Sequence, residues 1–209
     1  MVMGIELGEF DLDSFMKESE DSESATVYAG EGTSRQIIFV IDASNSMQGH
    51  KIGSVNDCVN NILSKLRSLD RNQRDPIGIS VIGFSSRLFK WTESFVRASD
   101  FKYSYVEMVD GVTDINAALQ ELIVLSNHME KDTKKYIVLF SDGLTTEDYT
   151  ENLAYWKQAE LYSDIVKIAV AFDDDLRDSQ SVSFFKDFVG SGMVIPITDQ
   201  EQLLTALLS

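Results

Sequence analysis

Five consecutive residues, Ile37-Ile38-Phe39-Val40-Ile41, carry no polar side chain, and they give way abruptly to Asp42-Ala43-Ser44-Asn45-Ser46-Met47. A strand with one face in water alternates apolar and polar positions. A run without alternation reads as a strand buried on both faces, the situation of a central strand in a parallel sheet. That reading constrains the whole chain. Both faces need a cover, and parallel neighbours need crossovers long enough to hold helices.

The sequence supplies both. Further apolar runs occur at Ile77-Gly78-Ile79-Ser80-Val81-Ile82-Gly83-Phe84, Tyr136 to Phe140, Ile165 to Phe172 and, more briefly, Val194 to Ile197. The two glycines of the second run predict a close backbone approach or a bulge. Phe89-Lys90-Trp91 reads as a short edge strand. Between the runs lie segments of helical period: Ile52, Val55, Val59, Ile62, Leu63, Leu66 and Leu69; then Ile115, Ala118, Leu119, Leu122 and Ile123; then a segment around Glu151 to Tyr162. A fourth ends near Gly190, with Val182, Phe185, Phe188 and Val189 inward, and a fifth carries Leu203, Leu204, Leu207 and Leu208. Asp114 is placed to cap the second helix, and Thr198-Asp199-Gln200-Glu201 reads as a capping-box start for the last. Strands alternating with amphipathic helices give an α/β fold: a three-layer, doubly wound, mostly parallel sheet with helices on both faces and one short antiparallel edge strand.

Residues 1–33 differ in character from residues 34–209. They hold the acidic runs Glu9-Phe10-Asp11-Leu12-Asp13 and Glu18-Ser19-Glu20-Asp21-Ser22-Glu23, a composition expected to stay flexible. Apolar residues punctuate the acids, so docking of this segment on a groove stays open beside the solvated-tail reading. The formal net charge of −16 argues against a phosphate-binding surface and hence against nucleic acid as a partner, and suits a cation or a basic protein partner instead. No apolar run is long enough to span a bilayer, and the acidic start does not read as a signal peptide. Cys58 is the one cysteine, so there is no internal disulfide framework. A cytoplasmic address is the expectation. Cys58 falls on the inner face of the first helix, as a buried thiol rather than a nucleophile.

Asp42, Ser44 and Ser46 follow the first buried strand, and ligands of open α/β sheets bind at the carboxyl ends of strands. All three are hard oxygen donors, which suit Mg²⁺, Mn²⁺ or Ca²⁺ better than zinc or copper. Further on come Gly111-Val112-Thr113-Asp114 and Leu139-Phe140-Ser141-Asp142-Gly143. In order, spacing and strand context these loops resemble the metal-ion-dependent adhesion site of von Willebrand factor A domains, and the resemblance covers roughly residues 34 to 209. It implies that Ser44, Ser46 and Thr113 coordinate Mg²⁺ through hydroxyls, with Asp42 and Asp142 acting mainly through water. A partner protein then completes the metal shell with its own carboxylate. Asn45 departs from the Gly common in the family, and its tolerance of left-handed backbone is expected to preserve the turn.

The compact pattern and Ser54-Val55-Asn56 are similar to the bacterial intracellular, TerY-like branch of tellurite-resistance and stress-response proteins. That likeness implies a metal-dependent scaffold and not an enzyme. Two alternatives stay open: an extracellular adhesin domain with the same site, and a Mg²⁺-dependent phosphohydrolase. The second lacks a Walker-type loop, and among the three loops Lys51 is the one cation, at the edge. The Asp-x-Ser-x-Ser turn could also be no more than a helix cap. Asp173-Asp174-Asp175 reads as a solvated acidic loop in preference to a second cation site. His50 and His128 read as surface residues, and Trp91 and Trp156 as packing anchors.

Overall fold

The computed structural model describes residues 34–71, 76–106 and 111–209. The acidic segment 1–33 lies outside the described residues. Within them the elements run β1 (Arg35–Asp42), α1 (His50–Arg71), β2 (Ile77–Phe84), β3 (Leu88–Lys90), β4 (Val96–Arg97), α2 (Ile115–Asn127), β5 (Lys134–Phe140), α3 (Thr150–Trp156), β6 (Ile165–Ala171), α4 (Ser179–Val189), β7 (Met193–Pro196) and α5 (Gln200–Leu208). The sheet order is β3-β2-β1-β5-β6-β7. Strands β2, β1, β5, β6 and β7 are parallel to their neighbours, whereas β3 and β4 both pair antiparallel with β2. The antiparallel edge thus has two short strands where the sequence suggested one.

Every residue of β1 is buried, as the unbroken apolar run requires. Pleating sorts that run into two cores. Ile37, Phe39 and Ile41 face Val55, Val59, Ile62 and Leu66 of α1 and Leu203 and Leu207 of α5. Ile38 and Val40 face Ile115, Leu119 and Leu122 of α2, Trp156 of α3 and Phe184, Phe185 and Phe188 of α4. Helices therefore cover both faces, and each fully buried Ile or Phe contributes roughly 1.5–3 kcal/mol.

The glycine in β2 that matters is Gly83. A Cβ there would lie 2.4 Å from the Phe89 ring, so the edge strand's aromatic packs directly on backbone. The register of β2 is continuous, with a close approach and no bulge. In α4 the inward set includes Phe184, while Val182 is half-buried, a shift in helical phase from the expected face. The last helix is capped by Asp199, which accepts from the Gln202 amide at 3.0 Å. The cap lies one residue later than the Thr198 start read from the sequence. The third helix ends at Trp156, fully buried with its indole N–H on Ser126 Oγ, and a separate 3₁₀ turn follows at Tyr162–Asp164. Trp91 is half-buried and packs between Phe89 and Tyr103.

Candidate functional site

Strand order reverses direction at the β1/β5 pair: the chain runs from β1 outward to β2, then crosses back to β5 and on to β6 and β7. The carboxyl ends of β1 and β5 flank the crevice that such a reversal opens, the usual ligand position in this architecture. β1 ends on Asp42 and β5 leads into Ser141-Asp142. Two of the motifs singled out in the sequence thus meet at the reversal.

In the first loop Asp42 is wholly buried, with both carboxylate oxygens engaged. Oδ1 accepts the Ser44 amide at 2.9 Å, and Oδ2 accepts the Ser141 hydroxyl at 2.7 Å. The Ser141 hydroxyl also accepts the Gly143 amide at 3.0 Å, so Asp42 organises the third loop as well as its own. The Ser44 and Ser46 hydroxyls lie 3.1 Å apart, the former buried and the latter exposed. Asn45 opens a 3₁₀ turn over Asn45–Met47, which is right-handed backbone. The left-handed conformation considered for Asn45 is not needed there, and a positive φ of 80° falls on Gly49 instead.

The second loop joins the first through backbone. The Asn45 amide donates to the Gly111 carbonyl at 3.3 Å, and the Asp114 amide donates to the Ser85 carbonyl at the end of β2. Thr113 is buried, and its carbonyl accepts the Thr146 hydroxyl of the third loop at 3.0 Å. Asp114 is the cap of α2, accepting from the Asn116 and Ala117 amides.

Asp142 is fully buried. Its Oδ1 accepts the Leu144 amide at 3.1 Å and its Oδ2 accepts the Lys51 ammonium at 3.0 Å. Gly143 makes this turn with φ of 76°, and a Cβ there would lie 2.9 Å from Ser181 Cα. Beside the site Val112 and Leu144 stand exposed, an apolar rim that sequence reading did not single out.

Lys51 corrects another expectation. From the first turn of α1 it also donates to Asp175 Oδ1 at 2.9 Å. Asp173 and Asp174 are exposed, as a solvated loop demands, but Asp175 is buried and belongs to the site's electrostatics. The signal available in the sequence was weak: a lysine one turn past the Ser pair and an acid after β6, 124 residues apart.

Burial dominates the charge balance. It pushes the Asp42 carboxyl up to about 6, against the hydrogen bonds from Ser44 and Ser141, with Asp142 adding to the rise. Burial also raises Asp175, partly offset by Lys51. For Lys51 burial works downward, but the bonds to Asp175 and Asp142 outweigh it and hold the ammonium above its ordinary range. Cys58, buried under α1, is pushed up to about 12 by burial, which suits a packed thiol and not a nucleophile. Both histidines are exposed.

The model of the von Willebrand factor type A domain family matches residues 36–188. The chain belongs to the von Willebrand factor type A domain family. Among curated proteins, this A domain is 31% identical to inter-alpha-trypsin inhibitor heavy chain H2 of Mesocricetus auratus over 121 residues, which is 52% of this chain and 12% of that protein. Heavy chain H1 of Sus scrofa is 28% identical over 129 residues, again a small part of its length at 14%. Among solved structures, a von Willebrand factor type A protein from Catenulispora acidiphila superposes with a TM-score of 0.60 at 15% identity, covering 84% of this chain and 41% of that one. The open conformation of the pilus adhesin SpaC from Lactobacillus rhamnosus GG gives 0.61 at 15% identity, covering 84% and 30%. At such identities the structural likeness speaks for the fold alone.

Proposed function

We propose that this A domain is a metal-dependent protein-interaction module, whose site holds a divalent cation and accepts a carboxylate from a partner. The observation that carries the reading is the pair of hydroxyls, Ser44 and Ser46, 3.1 Å apart beside a buried Asp42 whose own oxygens are both engaged. Among the described residues no three His, Cys, Asp or Glu side chains gather as a cation cluster. On the resemblance to the family's site, a cation here would be held by the neutral hydroxyls of Ser44, Ser46 and Thr113, with Asp42 and Asp142 contributing through water. Such a donor set suits Mg²⁺ or Mn²⁺, and Ca²⁺ less tightly. Neutral donors in direct contact leave a bound cation electrophilic, and an incoming carboxylate oxygen completes its shell. The exposed side chains of Val112 and Leu144 offer apolar contact beside it.

Hydrolysis on this site has less support. Metal-assisted phosphoryl chemistry calls for carboxylates on the metal and a free cationic clamp, and the ammonium nearby, Lys51, is engaged by two carboxylates. Two settings suit the same module. The sequence likeness to tellurite-resistance proteins favours a cytoplasmic scaffold in a bacterial stress response, while the fold shared with a pilus adhesin keeps adhesion as the second reading.

The test is calorimetric titration of Mg²⁺ and Mn²⁺ into the wild-type chain and the double variant Asp42→Ala/Ser44→Ala, with and without acetate. Saturable uptake by wild type, strengthened by acetate and absent from the variant, is expected. Equal uptake by both proteins would show that the site is elsewhere.

A further inference from the structure

We propose that Lys51 is a tethered counter-ion that weakens the grip on the divalent cation and, in return, lets the loaded site accept a carboxylate. This rests on the metal reading above. The ammonium bridges a carboxylate of the site, Asp142, to one outside its motifs, Asp175, at 3.0 and 2.9 Å. The ammonium also sits over the Phe172 ring, with Nζ 5.5 Å from the centroid, and the side chain is 18% exposed. The other Asp175 oxygen, Oδ2, is buried without a hydrogen-bond partner among the described residues. Negative charge thus exceeds what one ammonium neutralises.

Asp42, Asp142 and Asp175 with Lys51 carry a net charge of minus two, which a divalent cation cancels. A neutral loaded site can take a carboxylate without long-range repulsion. Without the ammonium the empty site attracts the cation more strongly, but the loaded site stays negative and repels the incoming acid. The two affinities therefore move in opposite directions. A mere brace would behave differently, because its loss would loosen the loops and weaken both. Asp142 also keeps an anchor independent of the lysine, the Leu144 amide on Oδ1, so removing the ammonium leaves its carboxylate tied to its own loop.

The experiment titrates Mn²⁺, then acetate onto the Mn²⁺-loaded protein, for wild type, Lys51→Met and Asp175→Asn. Methionine keeps an unbranched side chain of similar length without the charge. Lys51→Met is expected to bind Mn²⁺ about tenfold tighter and acetate several-fold weaker, and Asp175→Asn to shift both the other way. Both affinities falling together in Lys51→Met, or neither moving, overturns the proposal. Should Lys51→Met fail to fold, Asp175→Asn carries the test alone, and unchanged affinities there overturn it equally. A wild type that takes up no Mn²⁺ would instead sink the metal reading itself, and this proposal with it.

Discussion

Asp42 is held where an ionised carboxylate is least comfortable. Its pKa is raised to about 6 from 3.8, so the native state binds that proton more tightly than the unfolded chain does. The sign follows: stability is higher below pH 4, falls as pH rises from 4 to 6, and levels off above. In chelator-treated buffer at pH 7, Asp42→Asn should therefore be more stable than wild type, by at most about 3 kcal/mol, with the gap closing below pH 4. Urea denaturation across that range measures it. The same variant should lose Mn²⁺ uptake, the familiar exchange of function for stability at a binding site. Gly143 poses the opposite case. With φ of 76° and Ser181 Cα 2.9 Å from where a Cβ would stand, Gly143→Ala has no room and the wrong backbone. A loss of roughly 1–3 kcal/mol is expected from the urea midpoint.

At the scale of elements, α1 connects both ends of the domain. Its first turn carries Lys51, and its last turn carries Asp70, whose Oδ1 accepts the Ile77 amide and the Arg97 guanidinium, while Oδ2 accepts the Ser99 amide. Burial works to raise Asp70, but Arg97 and the amides outweigh it and leave its pKa below the ordinary 3.8. Here the stabilisation is present above the ordinary value and is lost as pH falls below it. Asp70→Ala should cost about 3 kcal/mol at pH 7, less in acid, by loss of a buried partner to a charged side chain. Gly53, exposed in the same helix with nothing within 4 Å of its would-be Cβ, gives the control: Gly53→Ala should raise stability by about 0.5–1 kcal/mol. Elements of this kind were largely legible in the sequence, because an apolar run such as Ile37 to Ile41 admits few environments and the spacing from Val55 to Leu66 admits one face. Their exact ends were less so. Thr198 and Asp199 can both cap on paper, and it is Asp199, the stronger capping residue, whose carboxylate accepts the Gln202 amide. In α4 the inward Phe184 meets Tyr149 edge-on, a contact between distant segments that no local pattern announces. The site divided in the same way. Asp42, Ser44 and Ser46 share one turn and could be read together, whereas Asp175 sat in a run of three acids, two of which are indeed solvated. What distinguishes it is Lys51, brought there by α1 and not by any local pattern.

Across the whole molecule the formal charge is −16, yet the proposed partner group is also an anion. The long-range field and the local site are thus opposed. An acidic ligand approaches against repulsion that extends about a Debye length, roughly 10 Å at 0.1 M salt, and is held only by short-range contact with the cation once it reaches the neutral loaded site. Raising salt screens the first effect far more than the second, since the contacts at the half-buried site are short. Association of an acidic peptide with the Mn²⁺-loaded chain should therefore speed up as NaCl rises from about 20 to 200 mM, while its dissociation changes little. A partner that surrounds its carboxylate with lysines and arginines would show the reverse, faster association at low salt. Stopped-flow or biolayer measurements over that salt range separate the two cases. An association rate for the acidic peptide that falls with salt would mean that its encounter is governed by a positive patch, and not by the acidic surface as a whole.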